Sequence, residues 1–179
     1  MIVLRSIGKS EALHFYTIHP HLQDMWRRYY WNPLVALFLR RKVDGHIERW
    51  AIGDKDWNPS EVLVIEKNGK SIGFTGFFKD GSCPSDTLRM RWTAVIEDEQ
   101  GQGAARDAIG KLCEYIHGKF PDVRWISESC PSFTKSLQRW FKGCGFEAWD
   151  DAEKDGTGIP FVRTVSLRRG VGKAADSKG

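Results

Sequence analysis

The chain has 179 residues, 41% of them hydrophobic and 28% charged, which is enough for one well-buried core and too little for two comfortable domains. Its formal charge of +4, from 27 basic against 23 acidic residues, suits a polyanionic small molecule but lacks the dense basic stripe of a nucleic-acid binder, so nucleic acid is disfavoured as a partner. The longest apolar run, Leu34 to Leu39, falls far below the about 18 residues that span a bilayer, and the opening MIVLRSIGKSEAL has no signal-peptide core, so no membrane partner and a cytoplasmic location are expected.

Residues 1–60 begin with the apolar Ile2, Val3 and Leu4 and continue into HLQDMWRRYYWNPLVALFLRR. Trp26, Tyr29, Tyr30 and, beyond Pro33, Leu34, Leu37 and Phe38 recur at three- and four-residue spacings, which predicts two helical pieces punctuated by Asn32 and Pro33. Their aromatic stripe reads either as core-facing or as one wall of a pocket. From residue 61 the period changes: VLVIE and SIGFTGFF flank Asn68-Gly69, the strongest hairpin signal in the chain. After the turn DGSCPSD, the run LRMRWTAVI alternates, placing Leu88, Met90, Trp92, Ala94 and Ile96 on one face and Arg89, Arg91, Thr93 and Val95 on the other. Three consecutive strands therefore form an antiparallel meander.

The loop EDEQGQG leads into AARDAIGKLCEYIHGKF, where Ala105, Ile109, Leu112 and Ile116 follow helical spacing until Pro121 breaks it. VRWIS reads as a strand, Pro131-Ser132 as the opening of a second helix with Phe133, Leu137, Trp140, Phe141 and Cys144 apolar, and Gly143 and Gly145 as its end. Phe146 to Trp149 and Phe161 to Leu167 predict a last hairpin around DDAEKDGTGIP. The domain is expected to span residues 1–169, with 170–179 a flexible tail that has little to bury. This order gives an α+β, or mixed α/β, fold with a central, mostly antiparallel sheet flanked by helices.

Between Ile96 and the helix stand Gln100, Gly101, Gln102, Gly103, Ala104 and Ala105. A diphosphate can approach a backbone only where side chains leave room, and the free N–H groups of a first helical turn then bind it. An ordinary glycine-containing turn is the competing reading. The loop is not G-x-G-x-x-G, does not begin a βαβ unit and lacks the Lys-Ser/Thr of a nucleotide-triphosphate loop. It resembles the Q/R-x-x-G-x-G/A motif of the GNAT superfamily of N-acetyltransferases, and the hairpin VLVIEKNGKSIGFTGF, the strand WTAVI, the helix after the loop and the closing KGCGFE follow in that superfamily's order. The resemblance covers residues 61–167, with 1–60 matching only as an acceptor-side helical segment.

That resemblance implies splayed strands around an acyl-CoA cleft. It assigns the backbone of Ala94, Val95 and Ile96 to the pantetheine arm of acetyl-CoA and the amides of Gly101 to Ala105 to its pyrophosphate. It implies an acetyl-CoA-dependent N-acetyltransferase that transfers directly to a primary amine in a ternary complex. It also implies a monomer or homodimer. Counting back from Gly145-Phe146 puts Phe141 where many relatives carry a tyrosine acid. Water, another group such as Cys144 or Ser136, or no catalysis at all would follow, and water-assisted turnover is preferred because a coenzyme A thiolate leaves readily.

The first candidate base is Glu128, at the end of VRWISES near the glutamate of some relatives, although a strict count lands on Ser129. Glu97, just past the cofactor strand, is the second, and both also read as solvated carboxylates. Arg89 and Arg91 stand where some relatives place acids. His14, His19, His21 and His46 have no carboxylate or cysteine at ligand spacing, and Cys83, Cys113, Cys130 and Cys144 form no CxxC pair, so neither metal nor disulfide is expected. Asp150, Asp151, Glu153 and Asp155 suit either a cationic amine or an exposed loop. A non-catalytic acyl-CoA-binding module and a nucleic-acid-associated protein of the same fold are the competing functions.

Overall fold

A computed structural model describes residues 1–6, 60–81, 83–132, 134–149 and 164–172. The helices expected in 1–60, the acidic loop at 150–155 and the last part of the tail lie outside these residues. Strand β1 (Ile2–Ser6) is followed by β2 (Ser60–Lys67), β3 (Lys70–Phe78) and β4 (Thr87–Val95). Helix α1 (Ala104–Lys119), strand β5 (Trp125–Pro131), helix α2 (Lys135–Gly143) and strands β6 (Glu147–Ala148) and β7 (Thr164–Gly170) complete the described order.

The seven strands form one sheet in the order β1-β2-β3-β4-β5-β7-β6, antiparallel throughout except for β4 with β5. This is the mostly antiparallel mixed sheet that the sequence pattern predicts. The β2–β3 hairpin turns on Asn68 (φ 54°) and Gly69 (φ 77°), the left-handed pair that matches the twist of two short-linked strands. From β4 to the parallel β5 the chain must cross over, and α1 is that crossover.

One core lies where α1 meets the sheet. Ile109, Leu112, Cys113 and Ile116 of α1 cluster with Leu63, Phe77, Leu88, Met90, Ile126 and Leu167 of five strands, with Phe141 of α2 and with Cys144 just past it. Each large aliphatic side chain fully buried there contributes roughly 1.5–3 kcal/mol. The alternate residues Val62, Val64, Phe74 and Phe78 are buried as well, so β2 and β3 are covered on both faces.

Four details depart from the sequence pattern. Pro131 ends β5, opposite Thr164, and α2 begins only at Lys135; an edge of β5 without a ladder partner tolerates a residue that has no N–H. Trp140 is 38% exposed, because the buried stripe of α2 runs through Leu137, Phe141 and Cys144 instead. The boundary drawn at residue 169 falls inside the fold, since β7 ends at Gly170 and the buried Val171 donates to the Arg124 carbonyl at 2.9 Å. The fourth is the reversed alternation of β4 beside the site.

A polar knot ties β1 and β2 to the far end of α1. Glu61 accepts from Tyr115 Oη at 2.9 and 2.8 Å, from Lys119 Nζ at 2.7 Å and from Ser6 Oγ at 2.6 Å. Burial pushes the Glu61 carboxyl up, but these hydrogen bonds together hold it below its ordinary value. A group lowered on folding adds stability above its unfolded pKa and loses it as the pH falls through the folded one. Glu61→Gln is therefore expected to lower unfolding free energy by about 1–2 kcal/mol at pH 7, with the gap to wild type closing as denaturant titrations move below about pH 4.5.

Candidate active site

Strands β4 and β5 are hydrogen-bonded neighbours only at their beginnings, through Thr87↔Trp125, Leu88↔Ile126 and Arg89↔Ser127. Past Ser127, β5 stays with β7 as far as Pro131, while β4 continues along β3 to Val95. The two strands diverge, leaving a gap between residues 90–95 of β4 and 128–131 of β5. A bulge accompanies the divergence. Phe74 is opposite Ala94 and Gly76 is opposite Arg91, so Trp92 and Thr93 together face Thr75. Such an extra residue bends its strand and increases its twist.

The bulge also reverses the alternation expected for LRMRWTAVI. Leu88 and Met90 pack in the α1 core, yet Val95 joins Ala104 and Ala108 of the same helix, and Thr93 Oγ1 lies 2.8 Å from the buried Thr75 Oγ1. Thr93 and Val95 thus share the helix-covered face with Leu88 and Met90, not the opposite one. Gly73 holds β3 close to this segment: a Cβ there would overlap the Ala94 carbonyl oxygen and approach Val95 Cα to 2.9 Å.

Ile96 donates its N–H to the Ile72 carbonyl at 2.8 Å. In an antiparallel ladder the neighbouring residue points its groups the other way, so Val95 directs its N–H and C=O toward the gap while Ala94 and Ile96 direct theirs to β3. The Val95 carbonyl receives Gln100 Nε2 at 3.0 Å. Gln100 is committed to the strand end. Of the three strand residues expected to meet a cofactor, Val95 is the one whose backbone faces the opening.

A single 3₁₀ turn, Glu97–Glu99, carries the chain from β4 into the glycine loop. Gly101 (φ 75°) and Gly103 (φ 82°) both occupy the left-handed region, and a Cβ on either would have no atom within 4 Å. The first fact explains why the backbone needs glycine there, and the second shows open space in front of it. Gly103 caps α1 without a side chain, so the N–H groups of Ala104, Ala105 and Arg106 project from the positive end of a 16-residue helix. Ala104 is buried and Ala105 half-buried against the β4 end; their small side chains let the helix begin this close to the strand.

The charges around the loop are mixed. Glu97 and Asp98 are exposed, and Glu99 is paired with Lys67 at 2.6 Å. Glu128 is the first β5 residue beyond the last β4 pair, half-buried, and accepts the Ser129 N–H at 2.9 Å. Glu97 stands instead on the solvent side of the 3₁₀ turn. The structure therefore puts Glu128 on the β5 side and Val95 on the β4 side of one gap, with Glu97 exposed in the turn after β4.

Burial pushes the Cys113 thiol up to about 11 and raises the Cys130 and Cys144 thiols as well. They remain protonated at neutral pH and are poor nucleophiles. All four cysteines are buried and unpaired. The Phe141 ring is 6% exposed and stacks edge-on against Phe146 at 5.2 Å and Trp140 at 4.9 Å, which makes it a core group. Among the described residues no three His, Cys, Asp or Glu side chains converge on a metal-sized site, and no helix is long and apolar enough to cross a membrane.

The profile of the acetyltransferase (GNAT) family matches residues 24–146. A search of curated protein sequences finds no match. Among solved structures, the spermidine N-acetyltransferase from Vibrio cholerae in complex with CoA and spermine superposes with a TM-score of 0.62 at 14% identity, covering 97% of either chain. The same enzyme's dodecameric structure gives 0.62 at 15% identity, over 99% of this chain and 98% of that one. An IAA acetyltransferase from Bacillus cereus gives 0.59 at 15% identity, over 95% and 99%.

The close approach at Gly73 makes a sharp test of how the gap is built. Gly73→Ala forces the Ala94–Val95 backbone to shift, and an unfolding free energy lower by about 1–3 kcal/mol is expected from denaturant titration. Gly81→Ala, where a Cβ meets nothing within 4 Å, should stay within about 0.5 kcal/mol of wild type.

Proposed function

Given that this chain belongs to the acetyltransferase (GNAT) family, we propose that it moves the acetyl group of acetyl-CoA to a primary amine by direct transfer in a ternary complex. The observation that carries this reading is the gap between β4 and β5, which opens beside a loop whose two left-handed glycines leave space before a helix N-terminus. An elongated thiol cofactor with a diphosphate needs those two features side by side. The amides of Gly101, Gln102, Gly103, Ala104 and Ala105 hold the diphosphate, and the Val95 backbone holds the pantetheine arm as an added strand would.

When bound, acetyl-CoA supplies the acetyl group as a thioester. Glu128, at the point where the two strands begin to part, takes the proton of the attacking amine, directly or through one water. As the new C–N bond forms and the C–S bond breaks, water returns a proton to the departing sulfur, because Phe141 offers no hydroxyl. The protonated thiols of Cys113, Cys130 and Cys144 favour direct transfer over an acyl-enzyme. The spermine bound to the Vibrio cholerae neighbour makes a polyamine the first acceptor class to try here. Phe141 favours a second reading, a non-catalytic acyl-CoA-binding module.

The discriminating experiment measures free thiol release from acetyl-CoA with spermidine, spermine, free lysine and peptide N-termini. Turnover with at least one amine is expected, and Glu128→Gln should cut kcat about 10²-fold or more while leaving acetyl-CoA affinity unchanged. Glu97→Gln should retain activity. Binding of acetyl-CoA without thiol release from any amine would favour the non-catalytic module.

A further inference from the structure

Two glycines in the left-handed region give the loop between β4 and α1 the right path but no rigidity, since glycine is the residue with most freedom to lose. Something outside the loop has to hold it. Lys67, the last residue of β2, reaches across with its ammonium 2.6 Å from Glu99 Oε2 and 3.1 Å from Gln102 Oε1. Gln102 in turn donates Nε2 to the Asp98 carbonyl at 2.9 Å. The link thus spans the 3₁₀ turn and the middle of the glycine loop.

Lys67 adjoins the tight Asn68-Gly69 turn, and the Met1 ammonium, just before β1, donates to Asn68 Oδ1 at 3.1 Å at the same hairpin tip. The ion pair is partly shielded, with side chains 30% and 19% exposed. Its charge matters as well as its geometry, because Glu99 lies two residues before Gly101, where the diphosphate is expected, and Lys67 neutralises its carboxylate.

We infer that Lys67 is a positioning residue for cofactor binding: through Glu99 and Gln102 it holds the Gly101–Ala105 amides in their anion-binding arrangement and masks a carboxylate that would repel the diphosphate. The inference rests on the acetyl-CoA reading above. A loop that is competent only part of the time binds with an affinity reduced by that fraction, so loss of the link weakens cofactor binding without touching the transfer step.

The test compares wild type, Lys67→Met, Lys67→Arg, Glu99→Ala and Lys67→Met/Glu99→Ala. Calorimetry with acetyl-CoA, steady-state kinetics and amide hydrogen exchange of the free protein provide the readouts, and thermal melts confirm folding. For Lys67→Met, acetyl-CoA Kd and KM are expected to rise about fivefold to tenfold, with kcat and the amine KM unchanged and exchange faster at residues 97–106. Lys67→Arg should stay near wild type, and Glu99→Ala should weaken the Lys67→Met protein no further. A Lys67→Met affinity equal to wild type, or losses from the two sites that multiply, would overturn the inference. Failure of wild type itself to bind acetyl-CoA would instead sink the reading on which it rests.

Discussion

Backbone hydrogen bonding in the interior of a sheet leaves no group idle, and the places where two neighbouring strands part are therefore the places where a sheet can accept something else. Here that parting follows Arg89 and Ser127. The bulge at Trp92 and Thr93, the close approach of Gly73 and the turn of Val95 toward the gap all belong to the same event. Because β5 stays paired with β7 to its end, and β4 stays with β3 on both sides of the bulge, the divergence is set by strand pairing within the sheet.

The glycine loop follows the end of β4, and α1 begins directly after it at Ala104. The helix is bound to the sheet at both ends by different means. At its start, Ala104 and Ala108 pack against Val95, Ile65 and Ile72; at its finish, Tyr115 and Lys119 meet the Glu61 carboxylate. Lys119 has its pKa raised by the hydrogen bond to Glu61, so its contribution is present below its unfolded pKa and lost only as the pH rises through the raised one. At neutral pH both partners of that pair are charged, and the helix that presents the loop is fixed at the end farthest from it.

What the sequence made legible had local causes. Asn68-Gly69 between two apolar runs specifies a hairpin because few residues accept its left-handed turn. The spacing of Ile109, Leu112 and Ile116 specifies a helix that buries one stripe. The run Gln100, Gly101, Gln102, Gly103, Ala104, Ala105 is distinctive because its two glycines take left-handed turns and its small alanines start the helix. The unread features depend on distant partners. LRMRWTAVI alternates as well with a bulge as without one, and only its pairing with Phe74 and Gly76 reveals the slip. Lys67 lies 32 residues before Glu99, and Glu61 lies 54 before Tyr115, separations at which no periodicity connects two side chains. Trp140 follows a plausible apolar spacing, yet the face of α2 that meets the sheet is one position away.

The central claim is that the opening between β4 and β5, with its glycine loop, receives acetyl-CoA. The most direct measurement is a calorimetric titration of wild type and Gly103→Trp with acetyl-CoA, the indole filling the open space before the loop, with thermal melts to confirm that the variant folds. Saturable binding by the wild type that the folded variant lacks is the predicted result. Wild-type protein that binds neither acetyl-CoA nor a longer acyl-CoA, or a variant that binds as well as wild type, would contradict it.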